Sequence, residues 1–179
     1  MAPPLFRRAP ASTARRAALG LLALAAAAGL AGCGFELRQA PTLPFTAIQL
    51  TGFSATSPMA EALRRAIASS TGTRVVESAA QAQVVLNATT DNQERALTVS
   101  TSAGQVREIQ VRARLKFTLS LPNGKELIPS TEILQVRDMT YNERNALAKE
   151  QEERTLSRAM QDDIAMQVLR RLAAVKFPA

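Results

Sequence analysis

The chain has 179 residues, with 22 Lys or Arg against 15 Asp or Glu, no histidine and a single cysteine. The absence of histidine removes the commonest general base near neutral pH, and one cysteine can build neither a Cys/His zinc site nor an internal disulfide. The excess of positive charge would suit nucleic acid, but four of the cations sit at the extreme N-terminus and have another explanation.

Those four, Arg7, Arg8, Arg15 and Arg16, precede Ala17 to Leu30, a run of alanine and leucine broken only by Gly20 and Gly29. A basic segment followed by an apolar one is the layout of a secretory signal peptide. As a helix the apolar run would reach about 21 Å, short of the roughly 30 Å hydrocarbon core of a bilayer. It ends in Leu30-Ala31-Gly32-Cys33, which resembles the lipobox at which bacterial lipoprotein precursors are diacylated on cysteine and cut before it. Residues 1–32 are therefore expected to be a lipoprotein signal peptide, and Cys33 the lipid attachment site. Two or more acyl groups anchor a protein stably where one does not. Gly34 stands where an aspartate would resemble a signal for retention in the inner membrane, so the outer membrane is the expected destination.

Removal of the leader leaves 147 residues with 18 basic and 15 acidic side chains, a net charge of only +3. Export and a near-neutral mature chain argue against nucleic acid as a partner. Residues 33–44, with Pro41 and Pro44, read as a lipidated tether, and 45–179 as a single domain large enough for a real core.

In chain order, Phe45 to Thr51 is predicted as a strand. Ser57 is an N-cap with Pro58 at the first helical position, and Ala60, Leu63 and Ile67 share one face of a helix that stops before Gly72. Thr73 to Glu77 is a short β-branched piece. Ala82 to Thr90 and Arg95 to Thr101 read as two antiparallel strands separated at Asp91-Asn92, the second breaking near Ser102-Ala103-Gly104.

The clearest strand runs from Arg107 to Leu121. Ile109, Val111, Ala113, Leu115, Phe117, Leu119 and Leu121 alternate without error with Gln110, Arg112, Arg114, Lys116, Thr118 and Ser120. A strand with one apolar and one polar face belongs to an antiparallel sheet covered on one side. Pro122-Asn123-Gly124 supplies a tight turn. The return strand, Lys125 to Met139, changes apolar parity near Leu134, which predicts a bulge there, while Pro129 suggests an edge.

Thr140 and Glu143 read as a capping box before a helix from Tyr141 to about Ala174. Leu156, Ala159, Met160, Ile164, Val168 and Leu172 are its expected buried stripe, with Arg144, Lys149, Glu153, Arg170 and Arg171 outside. Phe177-Pro178 ends the ordered pattern. The expected fold is α+β, with two helices packed on one face of a four-stranded, mostly antiparallel sheet.

No catalytic constellation, metal site or cofactor motif emerges. Asp162-Asp163 are neighbours on a helix and diverge by about 100 degrees, which suits a solvated pair, and no glycine-rich phosphate loop or nucleophile elbow is present. The alternation does place Arg112, Arg114 and Lys116 in one row. Such a row could meet anionic sugars or phosphates, form a protein interface, or be a solvated face whose charges discourage aggregation.

Beyond the leader the sequence resembles the lipopolysaccharide-assembly lipoprotein family LptE, also called the rare lipoprotein B family. The resemblance begins at Cys33-Gly34-Phe35-Glu36-Leu37-Arg38 and passes through Gly104-Gln105, Glu108 and the Pro122 to Gly124 turn. It is most distinctive at Ala146-Leu147-Ala148-Lys149 and Leu169-Arg170-Arg171-Leu172.

The resemblance implies a structural role: a plug inside, and an assembly factor for, the outer-membrane β-barrel LptD, assisting delivery of lipopolysaccharide to the outer leaflet. It also implies no cofactor beyond the N-acyl and S-diacylglycerol groups on Cys33. A basic family position implicated in lipopolysaccharide contact falls on Arg158. A second falls on Ser102, a departure for which nearby Arg107 is the candidate substitute. The candidate lipopolysaccharide contacts are thus Arg158, Arg107, Arg112, Arg114 and Lys116. The composition alone equally allows a periplasm-facing lipoprotein that binds lipid or polysaccharide without a barrel.

Overall fold

Ser57 starts the first helix as its sequence suggests: its hydroxyl accepts from the Ala60 backbone N–H at 3.0 Å, Pro58 follows, and helix α1 runs from Pro58 to Ala68. The structure is a computed structural model that describes residues 41–100 and 106–177. The leader, Cys33, Gly34, the first part of the tether, Ser102, Gly104-Gln105 and Pro178 lie outside the described residues.

Five strands form one sheet: β1 (Ala47–Thr51), β2 (Arg74–Val76), β3 (Val84–Ser100), β4 (Val106–Ser120) and β5 (Glu126–Thr140), in the order β2-β1-β3-β4-β5. The expected four strands become five because the Thr73 to Glu77 piece is a genuine edge strand. β1 runs parallel to both of its neighbours, Ala47 pairing with Arg74 and Ile48 with Val84. The other two pairings are antiparallel, so the sheet is mixed and mostly antiparallel.

The predicted break at Asp91-Asn92 is absent. The chain crosses it in extended form because β4 pairs with β3 along almost its whole length, from Val85 with Ser120 to Ser100 with Val106. The irregularity in this ladder is a register shift between Ala88 and Thr90, which changes the residues that face the helices without ending the strand. The bulge expected at Leu134 is also absent: Leu134 pairs in register with Arg114, and the irregularity falls between Thr131 and Glu126, around Pro129. β5 is an edge strand, where a proline is tolerated.

The long helix begins later than its capping-box pattern implied. Thr140 is the last residue of β5, and Asn142 caps a 3-10 turn (Glu143–Asn145) by accepting from the Arg144 N–H at 3.0 Å. Helix α2 then spans Ala146–Ala173, so Tyr141 lies outside it. Met160, Ile164, Val168 and Leu172 are buried as expected and Leu156 half-buried, but Ala159 is exposed. The second buried row is Ser157, Gln161, Ala165 and Leu169, at the same four-residue spacing; Ala159 falls outside both rows.

Both helices pack on the same face of the sheet. Leu63 and Ile67 of α1 and Ile164, Val168 and Leu172 of α2 join Ile48, Leu86, Ile109, Leu115, Phe117 and Leu119 in one core. Alternation along β1 sends Ile48 into that core and Ala47 to the opposite face, where it forms a small separate cluster with Val76 and Ala82. The remainder of that opposite face, along β3, β4 and β5, carries the basic row.

Candidate functional site

Strand alternation fixes the first candidate group. Val111, Ala113, Leu115 and Phe117 are buried under the helices, so Arg112, Arg114 and Lys116 lie on the other face of β4. Antiparallel partners share a face, and the register sets Glu94 across from Arg112 on one side and Glu132 across from Lys116 on the other. Arg114 reaches Glu132 at 3.8 Å, and the Arg112 Nε donates to Gln110 Oε1 at 2.7 Å, while Gln110 in turn donates to Asp138 at 2.8 Å.

Each cation of the row therefore has a carboxylate within one strand spacing, well inside a Debye length of about 8 to 10 Å. An approaching anion meets a field that largely cancels. Beside the row, Leu134 and Val136 remain 45% and 36% exposed. This face is charge-balanced with an apolar strip, rather than a free basic patch. Arg107 falls in the backbone of β4, and its side chain lies outside the described residues.

The second candidate group surrounds Arg158, on the helix side of the sheet. A cleft of about 480 Å³ opens between α2 and β3, with Pro58 at its α1 end. Its floor is a polar seam in which Gln161 donates to Gln93 at 2.8 Å and Gln93 donates to the Ser157 hydroxyl at 2.6 Å. Two of the three lining arginines have acidic partners: Arg95 meets Glu153 at 3.6 Å and Arg154 meets Glu150 at 3.8 Å. Arg95 also lies 5.1 Å over the ring of Tyr141, a cation–π distance.

Arg158 is exposed and, among the described residues, has no ion pair. It is the cleft's uncompensated charge. The row and Arg158 thus lie on opposite faces and form two patches. Among the described residues no group of three or more His, Cys, Asp or Glu side chains could hold a metal.

Sequence reasoning missed the seam. Its signal was present, since Ser157 and Gln161 are one helical turn apart on a line that continues to Ala165 and Leu169. Gln93 joins the helix-facing side only once the strand is read through Asp91-Asn92.

The model of the family described as "LptE: Lipopolysaccharide-assembly" matches residues 45–172, covering every strand and all but the last residue of α2. The chain belongs to the LptE family. Solved structures agree. A solution structure of an uncharacterized lipoprotein B from Nitrosomonas europaea is 29% identical, with a TM-score of 0.67 over 79% of this chain and 91% of that one.

The rare lipoprotein B of Shewanella oneidensis, 23% identical with a TM-score of 0.60 over 72% of this chain and 95% of its own, shares the fold. So does a minor lipoprotein from Acinetobacter baumannii, 18% identical with a TM-score of 0.60 over 76% of this chain and 98% of its own. No curated protein sequence matches. As an LptE-family member the chain is an outer-membrane lipoprotein of lipopolysaccharide assembly, with a structural and not a catalytic role.

Proposed function

We propose that this LptE-family chain is the plug and assembly factor of the outer-membrane β-barrel LptD, and that it meets lipopolysaccharide through Arg158. In this reading residues 1–32 are removed as a signal peptide, 33–44 form the tether lipidated on Cys33, and 45–179 form the working domain.

The observation that carries the reading is the unequal treatment of the two faces of β3, β4 and β5. One is closed by two helices. The other is left open, with Arg112, Arg114 and Lys116 offset by Glu94, Glu132 and Asp138 on the same face, and with Leu134 and Val136 exposed. Such a face suits the wall of a protein partner better than a phosphate, because its charges are already compensated and its apolar strip gains from being covered. Arg158 suits an anion, being the cleft arginine that makes no ion pair among the described residues, while Asp162 one turn along is engaged by Arg65.

Co-purification from detergent-solubilised outer membranes tests the proposal. A stoichiometric barrel is expected with the tagged chain. Recovery of the chain without a barrel, but still retaining lipopolysaccharide, would replace this reading with that of a periplasm-facing lipid-binding lipoprotein.

A further inference from the structure

β3 is much longer than the strand beside it. β1 pairs with it only over Val84–Asn87 and then leaves the sheet at Gly52. Gly52 has φ of +80°, and a methyl group there would run into the carbonyl oxygen of Ala88, so the departure is built into the sequence. The loop into α1 returns over the next residues, where Ser57 Oγ donates to Asp91 at 2.5 Å. From Asn92 to Ser100, roughly 30 Å at the usual rise per residue, β3 has β4 on one side and, among the described residues, no strand on the other.

A strand paired on one side presents alternate unpaired N–H and C=O groups on its other edge. The sheet's opposite edge, β5, is blunted: Pro129 lacks an N–H, and the ladder is irregular from Thr131 to Glu126. The 92–100 edge has no proline. It also carries Leu97, which is 67% exposed on the helix-facing side and pairs with buried Ile109.

We propose that the 92–100 edge of β3 takes an added β-strand from the polypeptide of the barrel partner, an extended segment with an apolar side chain opposite Leu97. Only an extended backbone can satisfy donors and acceptors repeating at the strand period; a lipid or a sugar cannot. Existing charges do not oppose it, because of the two charged residues in 92–100 Glu94 lies across from Arg112 and Arg95 is engaged by Glu153. This inference rests on the barrel-partner reading of the preceding section.

Hydrogen–deuterium exchange of the full mature chain, alone over a range of concentrations and in its complex purified from outer membranes, tests both. In the complex the amides of 92–100 that point away from β4 are expected to exchange at least about tenfold more slowly, a larger change than in 126–140, whose face is covered but whose edge gains no strand. Leu97→Lys, at an exposed position, is expected to keep the urea midpoint and to lower recovery of the barrel about tenfold.

A barrel complex in which 92–100 exchanges as in the free chain would overturn strand addition and leave the plug reading standing. Protection that rises with concentration in the chain alone, together with a dimer by light scattering, would assign the edge to a second copy and overturn the proposal. Recovery of no barrel at all would overturn the partner reading and this one with it.

Discussion

Gln93 and Gln161, 68 residues apart, hold β3 to α2 through one amide pair: Gln161 donates at 2.8 Å to the oxygen of Gln93, whose nitrogen donates to Ser157. Gln161 is 7% exposed, whereas Gln93 is exposed and can turn to water, so it is Gln161 that depends on its partner. Gln93→Leu strands the Gln161 side-chain N–H and is expected to cost about 1 to 2 kcal/mol. The double variant with Gln161→Leu removes both halves of the amide pair and is expected to recover most of that loss. Urea unfolding of the two variants reads the difference; equal midpoints would show that the seam carries no coupling.

Two glycines with similar backbone angles are expected to behave differently. Gly124 has φ of +87° with open space around the position of a β-carbon, so Gly124→Ala should cost about 1 to 2 kcal/mol for the left-handed backbone alone. Gly52→Ala adds a collision with the backbone of Ala88 and is expected to cost about 3 kcal/mol or more. Thermal unfolding of both variants orders them, and a Gly52→Ala protein as stable as Gly124→Ala would mean that β1 and β3 can part freely at that point.

Arg158 and the β4 row are separable by mutation because they occupy opposite faces. Arg158→Gln is expected to weaken lipopolysaccharide binding about tenfold and to flatten its dependence on salt. Replacement of Arg112, Arg114 and Lys116 together by glutamine is expected to leave lipid binding nearly intact and to reduce recovery of the barrel, since those cations are already matched by carboxylates. Binding at two salt concentrations, with circular dichroism to confirm folding, distinguishes the two surfaces. The reverse pattern would move the lipid site to the sheet.

With the lipid on Cys33, as proposed, Cys33→Ser yields a precursor that is neither acylated nor cleaved before residue 33. Intact-mass measurement of the membrane fraction checks this, and an acylated mature species in the variant would place the anchor elsewhere. Residues 45–172, which match the family model, contain no cysteine, so the variant's folded domain is expected to have an unchanged urea midpoint.

The parts of the fold legible in the sequence are those set by near neighbours. Ser57-Pro58 and the unbroken alternation from Ile109 to Leu121 specify a helix start and a two-faced strand locally. What was misread depends on distant partners. Asp91-Asn92 has turn composition, yet β4 holds it extended, and the parallel pairing of β1 with β2 and β3 leaves no mark in so short a segment. The site divides in the same way. Arg112, Arg114 and Lys116 announce their common face, but the acids that offset them, Glu94 and Glu132, arrive through register across strands. Arg158 carries no local signal at all; resemblance alone singled it out, and the cleft explains its isolation only once α2 lies over β3.

β1 precedes everything it must touch. Residue 47 waits for residue 74, and residue 48 for residue 84, before either has a strand beside it. During export from the N-terminus, Phe45 and Ile48 reach the periplasm ahead of the α2 residues that share their core, Ile164 and Leu172. The β4–β5 hairpin, by contrast, can close on its own turn within about 1 to 10 microseconds of emerging. The order of synthesis thus runs against the order of assembly. The freshly exported segment has to be kept from aggregating until its last helix arrives, and a chain cut short before residue 160 would leave its first strand with α1 alone to cover it.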